Sequence, residues 1–158
     1  MILVIQRVSK ASVRVGGAVV GAIGRGLLVL AAAERGDSPA EIEWCARKIV
    51  DVRIFPDEDD KMNRSVADAG GDVLLVSQFT LVGDLKKGTR PSFSSAAPPA
   101  EARRMLDDLA AAVRGRGLKV ESGVFQAMME VELVNDGPVT LVLRRPPSGV
   151  EEPTRDAG

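Results

Sequence analysis

Apolar residues recur along this chain in two rhythms that predict strands and one that predicts helices. Residues 2–8 are apolar except for Gln6 and Arg7, and residues 11–15 alternate Ala, Ser, Val, Arg, Val, so both read as strands. Gly16-Gly17 turns the chain into residues 18–21, and Gly24-Arg25-Gly26 turns it again. Residues 26–31 and 73–76 do not alternate at all, which predicts strands buried on both faces. The helical rhythm occurs twice. Asp37 or Ser38 can cap a helix that begins with Pro39 and Glu41 and runs to about Val50, with Ile42, Cys45, Ala46, Ile49 and Val50 on one face. Cys45 on that face reads as a core residue, not a nucleophile. A second helix follows Pro98-Pro99 through about Val113, with Leu106, Leu109, Ala110 and Val113 inward and Arg103, Arg104, Asp107 and Asp108 outward.

Shorter segments complete the order. Residues 52–55, 118–121 and 129–134 read as strands, and residues 125–129 as a short mixed segment. Residues 56–60 form an acidic loop without the glycine and spaced glutamate of a calcium loop, which favours a solvated turn. Strands, helix, strands, helix, strands is an α+β order with mostly antiparallel pairing. Residues 1–144 form one domain; residues 145–158 carry no apolar pattern and are expected to be a disordered tail.

Residues 133–143 pose a local puzzle. Two β-branched runs flank Asn135-Asp136-Gly137-Pro138, the composition of a hairpin turn. Yet a proline directly after Asp-Gly lacks the N–H that a following central strand needs. Gly-Pro is also a bond where a cis peptide costs little. The corner is therefore either a connector or a bent, locked piece of backbone.

Composition narrows the chemistry. The 158 residues contain no histidine and no tyrosine, which excludes Cys/His and Ser/His/Asp catalysis and any histidine-based metal site. Proton transfers near neutral pH must use carboxylates, lysine, water, backbone groups or the substrate itself. A single cysteine rules out an internal disulfide framework and makes the cytoplasm the default; no apolar run is long enough for a membrane span, and no signal-like segment opens the chain. The net charge of −1 gives no global basic field, so any RNA contact needs a local patch.

Three stretches could hold a site. Ser77-Gln78-Phe79-Thr80 leaves a buried strand straight into polar groups. Its hydroxyls could merely satisfy backbone, or its N–H groups could stabilise an oxyanion in acyl transfer. Lys86, Lys87 and Arg90 form a basic loop next to it, suited to solvent or to phosphates. Phe125 and Met129 could be core residues or an apolar wall for a flat base.

Taken together and in order, Arg7 in Ile-Gln-Arg-Val, Ser77-Gln78-Phe79-Thr80-Leu81, residues 87–93 (Lys-Gly-Thr-Arg-Pro-Ser-Phe) and residues 135–140 (Asn-Asp-Gly-Pro-Val-Thr) resemble the D-aminoacyl-tRNA deacylase family over about residues 1–143. The resemblance implies a cytoplasmic homodimer, without metal or cofactor, that hydrolyses the ester between a D-amino acid and the 3′-terminal adenosine of tRNA. It also implies removal of glycine wrongly attached to alanine tRNA. In that family the Gly-Pro bond is cis, and the corner enters the other subunit's active site, where its carbonyls sense chirality at Cα. Those positions correspond to Gly137 and Pro138, supported by Arg7 and Asn135. The resemblance assigns the pocket floor to Ser77, Gln78, Phe79 and Thr80, adenosine and tRNA contacts to Phe125, Met129, Lys86, Lys87 and Arg90, and help with the attacking water to the terminal ribose 2′-hydroxyl. Gln126 and Met128 depart from the family pattern of a small residue and an aspartate. A trans-Gly-Pro deacylase acting on L-alanine and a non-catalytic nucleic-acid-binding dimer are the competing readings; Arg7 weighs against the first. The expected fold is a single α+β domain of mostly antiparallel, barrel-like β-sheets with two main helices.

Overall fold

The computed structural model describes residues 1–148. One long strand is its spine. β1 (Ile2–Val15) pairs antiparallel with β3 (Gly26–Ala32) along its first half and with β2 (Ala18–Ile23) along its second, while β8 (Glu130–Arg144) runs antiparallel along its other edge. The two strands expected over residues 2–15 are thus one. The break in apolar pattern at Ser9-Lys10 marks where β1 changes partner, not where it ends.

From β3 the sheet continues through β6 (Asp72–Ser77) and β7 (Val120–Ser122), both parallel additions. The sheet is mixed, with antiparallel pairs in the majority. It curls until β2 meets β6 and β7: a Cβ on Gly21 would stand 2.8 Å from the Ser122 carbonyl oxygen and 3.3 Å from Leu74. β3 and β6 approach so closely that a Cβ on Gly26 would lie 1.9 Å from the Asp72 carbonyl oxygen, so only glycine fits there.

The non-alternating strands are explained by two cores. Leu27, Val29 and Ala31 face the helices, α1 (Pro39–Asp51) and α2 (Pro99–Arg114), together with Leu3, Ile5 and Val73. Leu28, Leu74 and Val76 face the inside of the curl, with Val8, Val13 and Ile23. Cys45, on the inner face of α1, is fully buried, and burial pushes its thiol up to about 12, as expected of a core thiol.

Ser38, not Asp37, caps α1. Its hydroxyl accepts from the Ala40 N–H at 3.2 Å while its own N–H donates to the Glu41 carboxylate at 2.7 Å, a reciprocal capping box. Asp37 instead accepts from the Met1 amino group at 2.7 Å. The region around residue 55 also differs from expectation. β4 is only Phe55–Pro56, and it pairs with β5 (Met62–Arg64), so the acidic residues 57–60 are the tip of a small hairpin.

Residues 145–148, expected to open a disordered tail, are tied to the domain. Arg145 N–H donates to the Met1 carbonyl at 2.9 Å, Pro147 is buried, and the Ser148 hydroxyl donates to Glu41 at 2.9 Å. Residues 149–158 lie outside the described residues. No helix among the described residues is long and apolar enough to cross a membrane.

Candidate active site

Residues 135–138 are not a connector. β8 is continuous from Glu130 to Arg144 and stays paired to β1 on both sides of the corner. Thr140 pairs with Gln6 and Asn135 with Val8, so the single residue Arg7 stands opposite the four residues from Asp136 to Val139. The extra residues are pushed out of the ladder as a bulge, and the Gly137-Pro138 peptide bond within it is cis.

Local hydrogen bonds hold this bulge. Arg7 donates from Nε to the Asp136 carbonyl at 3.0 Å and from Nη1 to the Ile54 carbonyl at 2.6 Å, and Nε lies 3.4 Å from the Asp136 carboxylate. The arginine side chain is only 11% exposed; its bond to Ile54 is half-buried, while its contacts to Asp136 lie at the surface. Asn135 spans the bulge from within: its Nδ2 donates to Thr140 Oγ1 at 2.9 Å, and its Oδ1 accepts from the Val139 N–H at 3.1 Å. Gly137 has φ +129, and a Cβ there would sit 3.0 Å from the Arg7 guanidinium. Gly137 and Pro138 themselves are exposed.

The second motif is at the other end of the sheet. β6 ends at Ser77, where the Gln78 N–H makes a last bond to the Ala31 carbonyl at 2.8 Å. The chain then enters a 3-10 turn, Phe79–Val82, whose first bond runs from the Leu81 N–H to the Gln78 carbonyl at 3.1 Å. The N–H groups of Phe79 and Thr80 fall between these two bonds. The Gln78 side-chain amide donates to the Thr80 hydroxyl. Phe79 is 55% exposed, with its ring edge-on to Phe93 at 5.1 Å.

Ser77 and Phe125 share a cleft of 290 Å³ between the end of β6 and α2. Arg103 and Asp107 on α2 line the same cleft, and the Arg103 guanidinium lies over the Phe125 ring at 5.5 Å. Both α2 residues are exposed, as their helical spacing predicts, but the surface they reach is the cleft rim and not open helix face. Their i, i+4 spacing around the buried Leu106 is the signal that could have grouped them. Met129 does not line this cleft. Its sulfur stands 2.7 Å from where a Cβ on Gly123 would be, and it packs on the inner core.

The basic loop divides. Reciprocal backbone bonds between Asp84 and Ser92, each 2.9 Å, close its base. Lys86 lines a wider opening of 670 Å³ with Leu81, Leu85 and Arg144, whereas Lys87 and Arg90 are exposed and line neither cleft.

The sequence matches the family model described as D-Tyr-tRNA(Tyr) deacylase over residues 4–144. The chain belongs to that family. It is 58% identical over 142 residues to a D-aminoacyl-tRNA deacylase of Pelobacter propionicus, covering 90% of this chain and 98% of that protein. A D-aminoacyl-tRNA deacylase of Desulfitobacterium hafniense is also 58% identical, over 140 residues, 89% of this chain and 94% of its own. Among solved structures, one titled c-Myc DNA Unwinding Element Binding Protein superposes with a TM-score of 0.87 at 41% identity, covering 92% of this chain and 99% of that one. A probable eukaryotic D-amino acid tRNA deacylase shares the fold at a TM-score of 0.75 and 18% identity, covering 90% and 97%. The chain is therefore an enzyme of a hydrolase family, and its mixed, curled sheet with two helices is that family's fold.

Proposed function

We propose that the protein is a cytoplasmic homodimer that hydrolyses the ester joining a D-amino acid to the 3′-terminal adenosine of tRNA, and glycine mischarged on alanine tRNA. The observation that carries this reading is the distance between its two motifs in one chain. Ser77 is level with Leu3 of β1 across β3, while the corner is level with Arg7, four residues further along and on the opposite side of β1. That separation is about 13 Å along the strands and about 14 Å across them. A clamped corner and a strand end that cannot meet within one chain can meet between two copies. The exposed Phe79 is then the kind of surface that a partner covers.

The chemistry follows from what the site has and lacks. Water attacks the ester carbonyl carbon, the bond to the ribose 3′-oxygen breaks, and that oxygen leaves with a proton. The Phe79 and Thr80 N–H groups stabilise the oxyanion in between. Thr80 is not the nucleophile: its hydroxyl accepts from an amide, which cannot take its proton, and there is no histidine to do so. The terminal 2′-hydroxyl assists the water instead.

Chirality is selected by repulsion. A carbonyl pair held rigidly near Cα, from the partner's Gly137-Pro138 corner, leaves room for hydrogen and clashes with an L side chain. Glycine has no side chain to reject and passes. Phe125 walls the base pocket, and Lys86, Lys87 and Arg90 approach the tRNA backbone.

The test is release of amino acid from matched D- and L-aminoacyl-tRNA. Hydrolysis of the D form at least 100 times faster than the L form is expected. Equal rates would overturn the chirality filter. Nucleic-acid binding without any turnover would favour a pure binding role, the reading that the 41% identical c-Myc DNA Unwinding Element Binding Protein suggests.

A further inference from the structure

Arg103 stands apart from the other residues of the cleft beside Ser77. Among the described residues lining that cleft it is the only cation, and it makes no ion pair. The residue one helical turn along, Asp107, lines the same rim without approaching within ion-pair distance. What holds the Arg103 guanidinium is the half-buried Phe125 ring, 5.5 Å away. A cation resting on an aromatic face is oriented through its π-system, and its N–H fork stays available at the edge. At 290 Å³ the cleft is at the small end for ligand pockets and suits one nucleoside, not a longer strand. The rest of any nucleic acid must leave across the rim.

We propose that Arg103 binds the phosphate on the 5′ side of the terminal nucleotide and is a positioning residue for the ester at Ser77–Thr80. The inference rests on the deacylase reading above and adds to it the point at which the acceptor strand leaves the cleft. Asp107 sharpens the placement. Its carboxylate, one helical turn along α2, opposes an anion at its own end of the rim, which leaves the Arg103 end as the favourable one for phosphate. The planar guanidinium can offer two parallel N–H groups to phosphate oxygens, which a lysine cannot reproduce.

Three substrates separate this role from others: D-tyrosyl-tRNA, the D-tyrosyl ester of adenosine, and the same ester carrying a 5′-phosphate. Wild type is expected to show a lower KM for the phosphorylated ester than for the plain one. Arg103→Gln should narrow that preference about three- to ten-fold, through KM more than kcat. On tRNA the variant should flatten the log–log salt dependence by about 0.7, the value for one phosphate contact on a single strand. Arg103→Lys should restore the salt slope while recovering the KM preference only in part. Equal losses on both esters would assign Arg103 to the base or the fold, and no loss on either would remove it from binding; each overturns the proposal. If wild type hydrolyses none of the three, the deacylase reading itself falls, an outcome distinct from a changed preference in the variant.

Discussion

The corner at residues 135–138 and the strand end at residues 77–80 are built in opposite ways. At the corner, the polar side chains are directed back into their own chain: Arg7 to two carbonyls, Asn135 across its own bulge. At the strand end, Phe79 and Thr80 are exposed, and their N–H groups sit in the gap between the last ladder bond and the first bond of the turn. One is a rigid projection and the other an open receptor. The difference matches the division of labour proposed for them. Excluding an L side chain requires carbonyls that do not yield, because a repulsive filter works only as well as its stiffness. Receiving a developing negative charge requires donors that are not already committed.

The receptor gives the largest expected effect. If its donors and the substrate's own hydroxyl do the chemistry, a 2′-deoxy terminal adenosine should slow turnover by about 100-fold or more, the scale of a lost proton-transfer group. Thr80→Ala should cost less than about tenfold, since its N–H remains. Single-turnover rates for the two perturbations decide the matter. Thr80→Ala abolishing turnover while the 2′-deoxy substrate reacts normally would make the strand end a nucleophile site and end this half of the contrast.

The projection comes next. Arg7→Ala removes a charged donor from the exposed Asp136 carbonyl and breaks the half-buried contact with the Ile54 carbonyl. Bonds of this kind contribute about 1.5–3 kcal/mol each, enough to let the bulge relax. The D/L ratio should drop about 10- to 100-fold, mainly by faster L-aminoacyl-tRNA hydrolysis. A folded Arg7→Ala protein with undiminished discrimination would show that the clamp is not what makes the corner selective.

How much of this contrast could be read from residues alone follows from the range of the interactions involved. The buried strands and the two helices depend on local periodicity and lie close to where the pattern puts them, and the helix cap falls on Ser38, one of the two residues the pattern offers. The corner does not. Asn-Asp-Gly-Pro is turn chemistry in any context, and only pairing with residues far away in sequence, Gln6 and Val8, keeps β8 in register on both sides of it. Arg7 is legible through family resemblance and not through its neighbours, because its partners are the Ile54 and Asp136 carbonyls, 47 and 129 positions distant. The cleft was half legible. Ser77 and Phe125 are brought together, but Met129 turns to the inner core, and Arg103 and Asp107 enter from a helix face that polarity alone assigns to solvent. The anchoring of residues 145–148 is not legible in their composition, because the groups they meet, at Met1, Gly36 and Glu41, belong to the opposite end of the chain.

The smallest effect on selectivity should come from Glu41, which makes it the control that separates a loosened corner from a loosened protein. Glu41 is fully buried at the start of α1. Burial alone would raise its carboxyl, but hydrogen bonds from the Ser38 and Ser148 hydroxyls and the Ser38 N–H lower it from the ordinary 4.5 to about 2. A depressed carboxylate stabilises the fold fully above its unfolded value, about 4.5, and loses that contribution as the pH falls towards about 2. Glu41→Ala strands the cap N–H and the Ser148 hydroxyl, at a cost of about 1–3 kcal/mol at neutral pH. The stability gap between wild type and variant, measured by denaturant titration, should be widest above about pH 4.5 and close towards pH 2. Its D/L ratio should stay at the wild-type value, since nothing at the cap touches Arg7 or the bulge. If discrimination instead fell in step with stability, as for Arg7→Ala, selectivity would be tracking the whole domain and not the clamp on one bulged strand.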